Sequence, residues 1–118
     1  MHRSEEGRRK FGLLLLKARD QAGCNDWIQF SDWLAEQTGY RVSKDVLHRH
    51  SRGFFEQVSS NLLFAIDEAK TSDGQPLLTL PDGSALDLKK LGQVLRGELD
   101  PFTGEFSPCT KKEIIEPA

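Results

Sequence analysis

Between Leu34 and Gly53 the chain reads Leu-Ala-Glu-Gln-Thr-Gly-Tyr-Arg-Val-Ser-Lys-Asp-Val-Leu-His-Arg-His-Ser-Arg-Gly, an order that fits a helix, a glycine turn and a second short helix closed by another glycine. Ala35 is small where two crossing helices touch, and Gly39 sits where the chain must reverse. Val42 and Leu47 are apolar points placed to lock the second helix onto the first. That second helix starts with Ser43 as its cap and continues through Lys44, Asp45, Val46, Leu47, His48, Arg49 and His50, with cations along it.

The flanking segments carry the same helical period. Phe11, Leu14, Leu15, Ala18 and Ala22 recur at three- and four-residue steps before Gly23, which predicts a first helix with a natural stop. The helix that ends at Gly39 has two possible starts, a capping-box spacing at Asp26 and Gln29 or a later cap at Ser31. Trp27, Phe30 and Leu34 share one face and favour the earlier start. A fourth helix is expected from Ser59 or Ser60, with Leu62, Leu63, Ile66 and Ala69 on its apolar side. After a Ser-Asp-Gly break, Leu77 to Leu80 reads as a brief extended piece before the Pro81-Asp82-Gly83 turn. Ser84 with Asp87 has the spacing of a capped start for a fifth helix, whose apolar face is Leu88, Leu91, Val94 and Leu95 and whose end is Gly97.

The expected fold is therefore all-α, a compact bundle of about five helices with a central helix-turn-helix and a flexible C-terminal tail. Along the chain this divides into a flexible basic arm over 1–10, a helix-turn-helix unit over 11–70, a helical extension over 71–100 and a partly disordered tail over 101–118. The mixed charges of the tail give little drive to fold, with Phe102 and Phe106 as its anchors to the body. Trp27, Phe30 and Phe64 are assigned to the core, and Trp33, off their stripe, is assigned to covering helix one or a partner chain.

A chain of 118 residues can bury one core without disulfides or metal. Its longest leucine run, Leu13 to Leu16, falls far short of the roughly 20 apolar residues that cross a bilayer and of the about 7–15 in a secretory signal. Cys24 and Cys109 form no Cys-x-x-Cys pair, so reduced thiols and a cytoplasmic location are expected. Net charge is −2, unevenly spread: residues 1–53 hold ten Lys/Arg against seven Asp/Glu, residues 54–118 six against eleven. A positive first half bearing the short cationic helix suits a protein with one face toward phosphates.

Catalytic motifs are missing from the sequence. It has no glycine-rich phosphate loop and no Gly-x-Ser-x-Gly elbow, so neither an enzyme nor a cofactor is expected. His48 and His50, two apart on a helix, point to different sides and have no cysteine or carboxylate to complete a zinc set. No metal site is expected, and His50 is placed at the edge of the core.

The order of Gly12 and the leucines through Ala18, Arg19 and Gly23, then Leu34-Ala35-Glu36 and Thr38-Gly39, then Val42-Ser43-Lys44, Arg52-Gly53 and Ser60 to Ile66, resembles the Cro/CI-type helix-turn-helix domain, the xenobiotic-response-element family of regulators. The resemblance covers roughly Phe11 to Lys70, with Tyr40 and Arg41 lengthening the turn by two residues. It implies a helix three that enters the major groove of double-stranded DNA while helix two crosses the phosphates. Carried over by alignment, Lys44, Asp45 and Arg49, with His48 beside them, are the base-facing set, and Arg49 is the first candidate for a bidentate contact to guanine. Ser43, Arg41, Arg52 and the N-terminal Arg8, Arg9 and Lys10 are candidate phosphate contacts. The resemblance also implies a homodimer on a pseudo-palindromic site, acting as a repressor by promoter occupancy, with Leu88, Leu91 and Leu95 as a dimer face or else as monomer core. The alternative is a helical protein–protein interaction module derived from the same fold, such as a phage protein that binds a host factor.

Overall fold

The computed structural model describes residues 4–55 and 57–106. Five helices follow one another: α1 (Ser4–Gln21), α2 (Trp27–Thr38), α3 (Lys44–Ser51), α4 (Ser60–Glu68) and α5 (Leu88–Leu95). Among the described residues no strand forms, and three isolated antiparallel bridges, Lys70–Pro76, Thr79–Ala85 and Leu99–Phe106, shape the segments around α5. The fold is the expected all-α bundle. No described helix is long and apolar enough to cross a membrane.

α1 carries α3 and α5 directly and shares one core with all the other helices. Phe11, Leu14, Leu15 and Ala18 are all buried in one cluster with Phe30, Leu34, Leu47, Leu62, Leu91 and Val94 from the other four helices. Both α3 and α5 pack directly on α1, and each does so through a glycine. A Cβ built on Gly12 would lie 2.5 Å from the Ser51 carbonyl oxygen and 3.0 Å from that of His50, so any side chain there would push the last turn of α3 away. Gly7 meets the Val94 and Leu95 carbonyls at the end of α5 in the same way.

Local chemistry sets the helix limits. Asp26 caps α2, its carboxylate accepting the Gln29 backbone N–H at 2.8 Å, while the Gln29 side chain accepts the Asn25 N–H; the earlier of the two starts is the real one. Ser43 caps α3 and Ser59 caps α4 by accepting the N–H three residues on. α3 closes as expected at Gly53, where the Gly53 N–H reaches the His50 carbonyl and the Phe54 N–H reaches that of Arg49, a Schellman ending.

Three expectations are corrected. The arm expected over 1–10 is helical from Ser4, because Gly7 fits against α5 and Lys10 is tied to Asp100 at 2.8 Å. The fifth helix begins after Asp87 rather than at Ser84: Ser84 belongs to a hairpin, accepting the Leu80 N–H and donating its hydroxyl to Asp82, and Asp87 accepts the Lys90 N–H. The tail expected from residue 101 is anchored over its first residues, with Leu99 and Pro101 buried and Phe106 bridged to Leu99, while 107–118 lie outside the described residues. The leucines of α5 resolve toward the monomer: Leu91 is fully buried and Leu95 packs against the core, leaving Leu88 as the exposed one.

Candidate nucleic-acid interface

α3 has a sharply two-sided character. Leu47 and His50 point inward and are buried, whereas Lys44, Asp45, His48, Arg49 and, just past the end, Arg52 are exposed. The four residues expected to face bases thus share the outer side of one short helix. Lys44 and Asp45 pair at 3.2 Å, an exposed contact of little energetic weight. Among the described residues Arg49 enters no ion pair, so its guanidinium is available to a ligand.

The turn that aims α3 is held from two sides. Gly39, at φ 83°, ends α2, and the chain then runs back along that helix. Ser31, buried in the middle of α2, donates its hydroxyl to the Val42 carbonyl at 2.5 Å. Arg41 lies across the same place, 3.1 Å from Asp32 and 3.3 Å from the Ser31 hydroxyl, and its carbonyl accepts from the Asn61 amide of α4 at 3.4 Å. Tyr40 packs on Phe64, ring centres 5.6 Å apart. Tyr40 and Arg41 therefore contact α2 and α4 rather than projecting as a loose loop.

His50 anchors the other end of α3. Its ring stacks on Phe55 at 4.2 Å and nearly parallel, meets Phe11 edge-on, and its Nε2 accepts the Ser59 N–H at 3.3 Å. Burial, reinforced by the positive charge of neighbouring Arg49, holds this imidazole below its ordinary pKa. The neutral ring needed to accept from Ser59 is the favoured state. His48 and His50 do point apart, one to solvent and one into the core edge.

The expected phosphate contacts separate into two groups. Ser43 stands exposed at the start of α3, its oxygen engaged as the cap. Arg52 is exposed, with its guanidinium carbon 5.3 Å from the centre of the Phe54 ring. Arg9 is exposed, with its Cα beside Gly53, and carries a 2.6 Å pair to Glu6; Arg8 is half-buried on the same helix. Lys10 is the exception and corrects the expectation. Its ammonium is bound to Asp100 and, at 3.5 Å, to Glu6, and the Asp100 hydrogen bond raises its pKa. It faces the segment after α5 and is committed to holding that segment on α1.

Three neighbours were not foreseen from sequence. Asp26, Trp27 and Ile28 at the start of α2 form, with Lys44, Asp45 and His48, a shallow groove of about 320 Å³ along the outer side of α3. Trp27 is braced from behind by Arg19, 4.5 Å from its ring centre. Phe54, 64% exposed, follows Gly53 at the far end of α3. Trp33, in contrast, stacks on buried Phe30 and borders a polar cleft with Gln21, Ala22 and Gly23, so it covers the end of helix one as one of its two assignments anticipated.

No protein family, curated protein or solved structure matches this chain.

Proposed function

We propose that the protein binds double-stranded DNA by placing the outer face of α3 in the major groove, and that it acts as a small cytoplasmic regulator of transcription by occupying its site. The observation that carries this reading is the two-sided α3, whose buried Leu47 and His50 fix it to the body while Lys44, His48, Arg49 and Arg52 stand on its outside. A short helix so presented fits a groove that admits one α-helix. Arg49 is assigned the bidentate contact to guanine, Lys44, Asp45 and His48 further base contacts, and Ser43, Arg41, Arg52, Arg8 and Arg9 the phosphates. Binding as a homodimer belongs to the same reading, with its contact surface somewhere other than Leu91.

The test is a mobility-shift selection against pooled random duplexes at two salt concentrations. Binding should fall with salt at a log–log slope of about −0.9 per phosphate neutralised, and Arg49→Ala should lose about 1–3 kcal/mol and relax specificity at one position.

A second reading is favoured by one observation: Asp26, Asp32 and Asp45 lie on or beside the same face, and Ile28 and Phe54 leave it partly apolar. A helical module that docks on another protein would use such a surface. Retained partner binding at high salt, with no duplex selected, would establish that reading in place of the first.

A further inference from the structure

The groove beside α3 has an apolar wall with no partner inside the molecule. Ile28, the second residue of α2, is 54% exposed, and it is absent from the side chains packed against the core. It lines that groove together with Lys44 and His48, two of the side chains assigned to base contacts. The charged groups lining the groove are the carboxylates of Asp26 and Asp45 and the ammonium of Lys44, so the groove offers no excess positive charge to hold a phosphate. Its distinguishing feature is a stiff branched aliphatic side chain on a capped helix.

The major-groove edges of the bases offer hydrogen-bond donors and acceptors at every pair, and one apolar group, the C5-methyl of thymine. We infer that Ile28 is a specificity residue that reads a thymine methyl at the border of the site occupied by α3, an inference that rests on the duplex-binding reading above. The contact forms when α3 enters the groove: Lys44 and His48 meet polar edges while Ile28 covers the methyl of a flanking thymine. α2 then contributes sequence information as well as backbone contacts.

The experiment uses the full chain and a duplex selected from a random pool. Each thymine of that duplex is replaced in turn by deoxyuridine, which removes the methyl and leaves the hydrogen-bonding edge unchanged. At one thymine position per half-site the unsubstituted protein should bind the deoxyuridine duplex about fourfold more weakly, the effect of one buried methyl-sized group of about 0.8 kcal/mol. Ile28→Ala should bind thymine and deoxyuridine duplexes equally, with its salt dependence unchanged, and Ile28→Val should lie between. A thymine preference that persists in Ile28→Ala, or a site with no methyl-sensitive thymine, overturns the inference and leaves duplex binding standing. Failure of the unsubstituted protein to select any duplex overturns both. Because Ile28 is exposed, thermal melting of both variants should match that of the parent.

Discussion

The Ser31 hydroxyl, buried on α2, donates to the carbonyl of Val42, the residue before the cap of α3, at 2.5 Å. This bond joins the middle of one helix to the entrance of the next and sets where the short cationic helix begins. Ser31→Ala removes the donor and leaves the Val42 carbonyl without it, for a loss of about 1–3 kcal/mol. Urea unfolding should show that loss, and duplex affinity should fall further than stability predicts, since no other described side chain bonds the Val42 carbonyl. Unchanged stability would remove Ser31 from this role.

Gly12→Ala offers a test by sign. In a helix interior alanine ordinarily stabilises relative to glycine by roughly 0.5–1 kcal/mol. Here the added carbon would sit 2.5 Å from the Ser51 carbonyl oxygen, so α3 must move or α1 must bend. The expected outcome is destabilisation of about 1–3 kcal/mol, the usual range for overpacking, read as a lower midpoint in urea. A stabilised variant would show that the two helices approach less closely.

His50 should make stability depend on pH. Its folded pKa lies below the ordinary value of 6.5 because burial disfavours the imidazolium. The unfolded chain therefore takes up the proton first as pH falls, and stability drops as pH goes down through 6.5 toward the folded value. Above 6.5 this contribution is level. Unfolding free energies measured between pH 8 and about 5 should show the decline in the parent chain and a smaller slope in His50→Gln. Equal slopes would place the titration elsewhere.

Lys10 and Arg52 should separate the cations that hold the fold from those that meet a ligand. Lys10→Gln breaks the pairs to Asp100 and Glu6, so it should lower stability by about 0.2–1 kcal/mol, as for partly exposed pairs, while leaving the salt slope of duplex binding unchanged. Arg52→Gln should leave stability within about 0.5 kcal/mol and reduce that slope by about 1. The opposite pattern would reverse the two assignments.

What the sequence made legible was mostly local. The caps at Asp26 and Ser43 were readable because a side-chain oxygen serves an N–H three residues on, a relation contained within one turn. The start of α5 was misread because Ser84 and Asp87 both satisfy that spacing, and the choice is made by the Leu80 N–H pairing with the Ser84 carbonyl in a hairpin. Lys10 was grouped with free cations because its partner Asp100 lies 90 residues away. The helical start at Ser4 was hidden because residues 1–10 are polar and basic, while the fit of Gly7 against α5 that holds them is a long-range contact. On the candidate interface, the outward residues of α3 followed from its period, whereas Ile28, off the Trp27, Phe30 and Leu34 stripe, carries no sequence signal that sets it apart from any other solvent-facing position of α2. The groove it forms with Lys44 and His48 depends on the placement of α3, which long-range packing decides.

α1 seats α3 over Gly12 and α5 over Gly7, notches five positions apart on a single rod. A fragment cut after residue 70 would keep every side chain assigned to the ligand yet strip Leu77, Leu91, Val94 and Leu99 from the common core, baring a greasy flank of α1 to water. The smallest autonomous piece able to present α3 is consequently much larger than the α2–α3 pair itself, and minimised versions should begin at the amino-terminal helix and retain the bridged segment Leu99–Phe106 that follows α5.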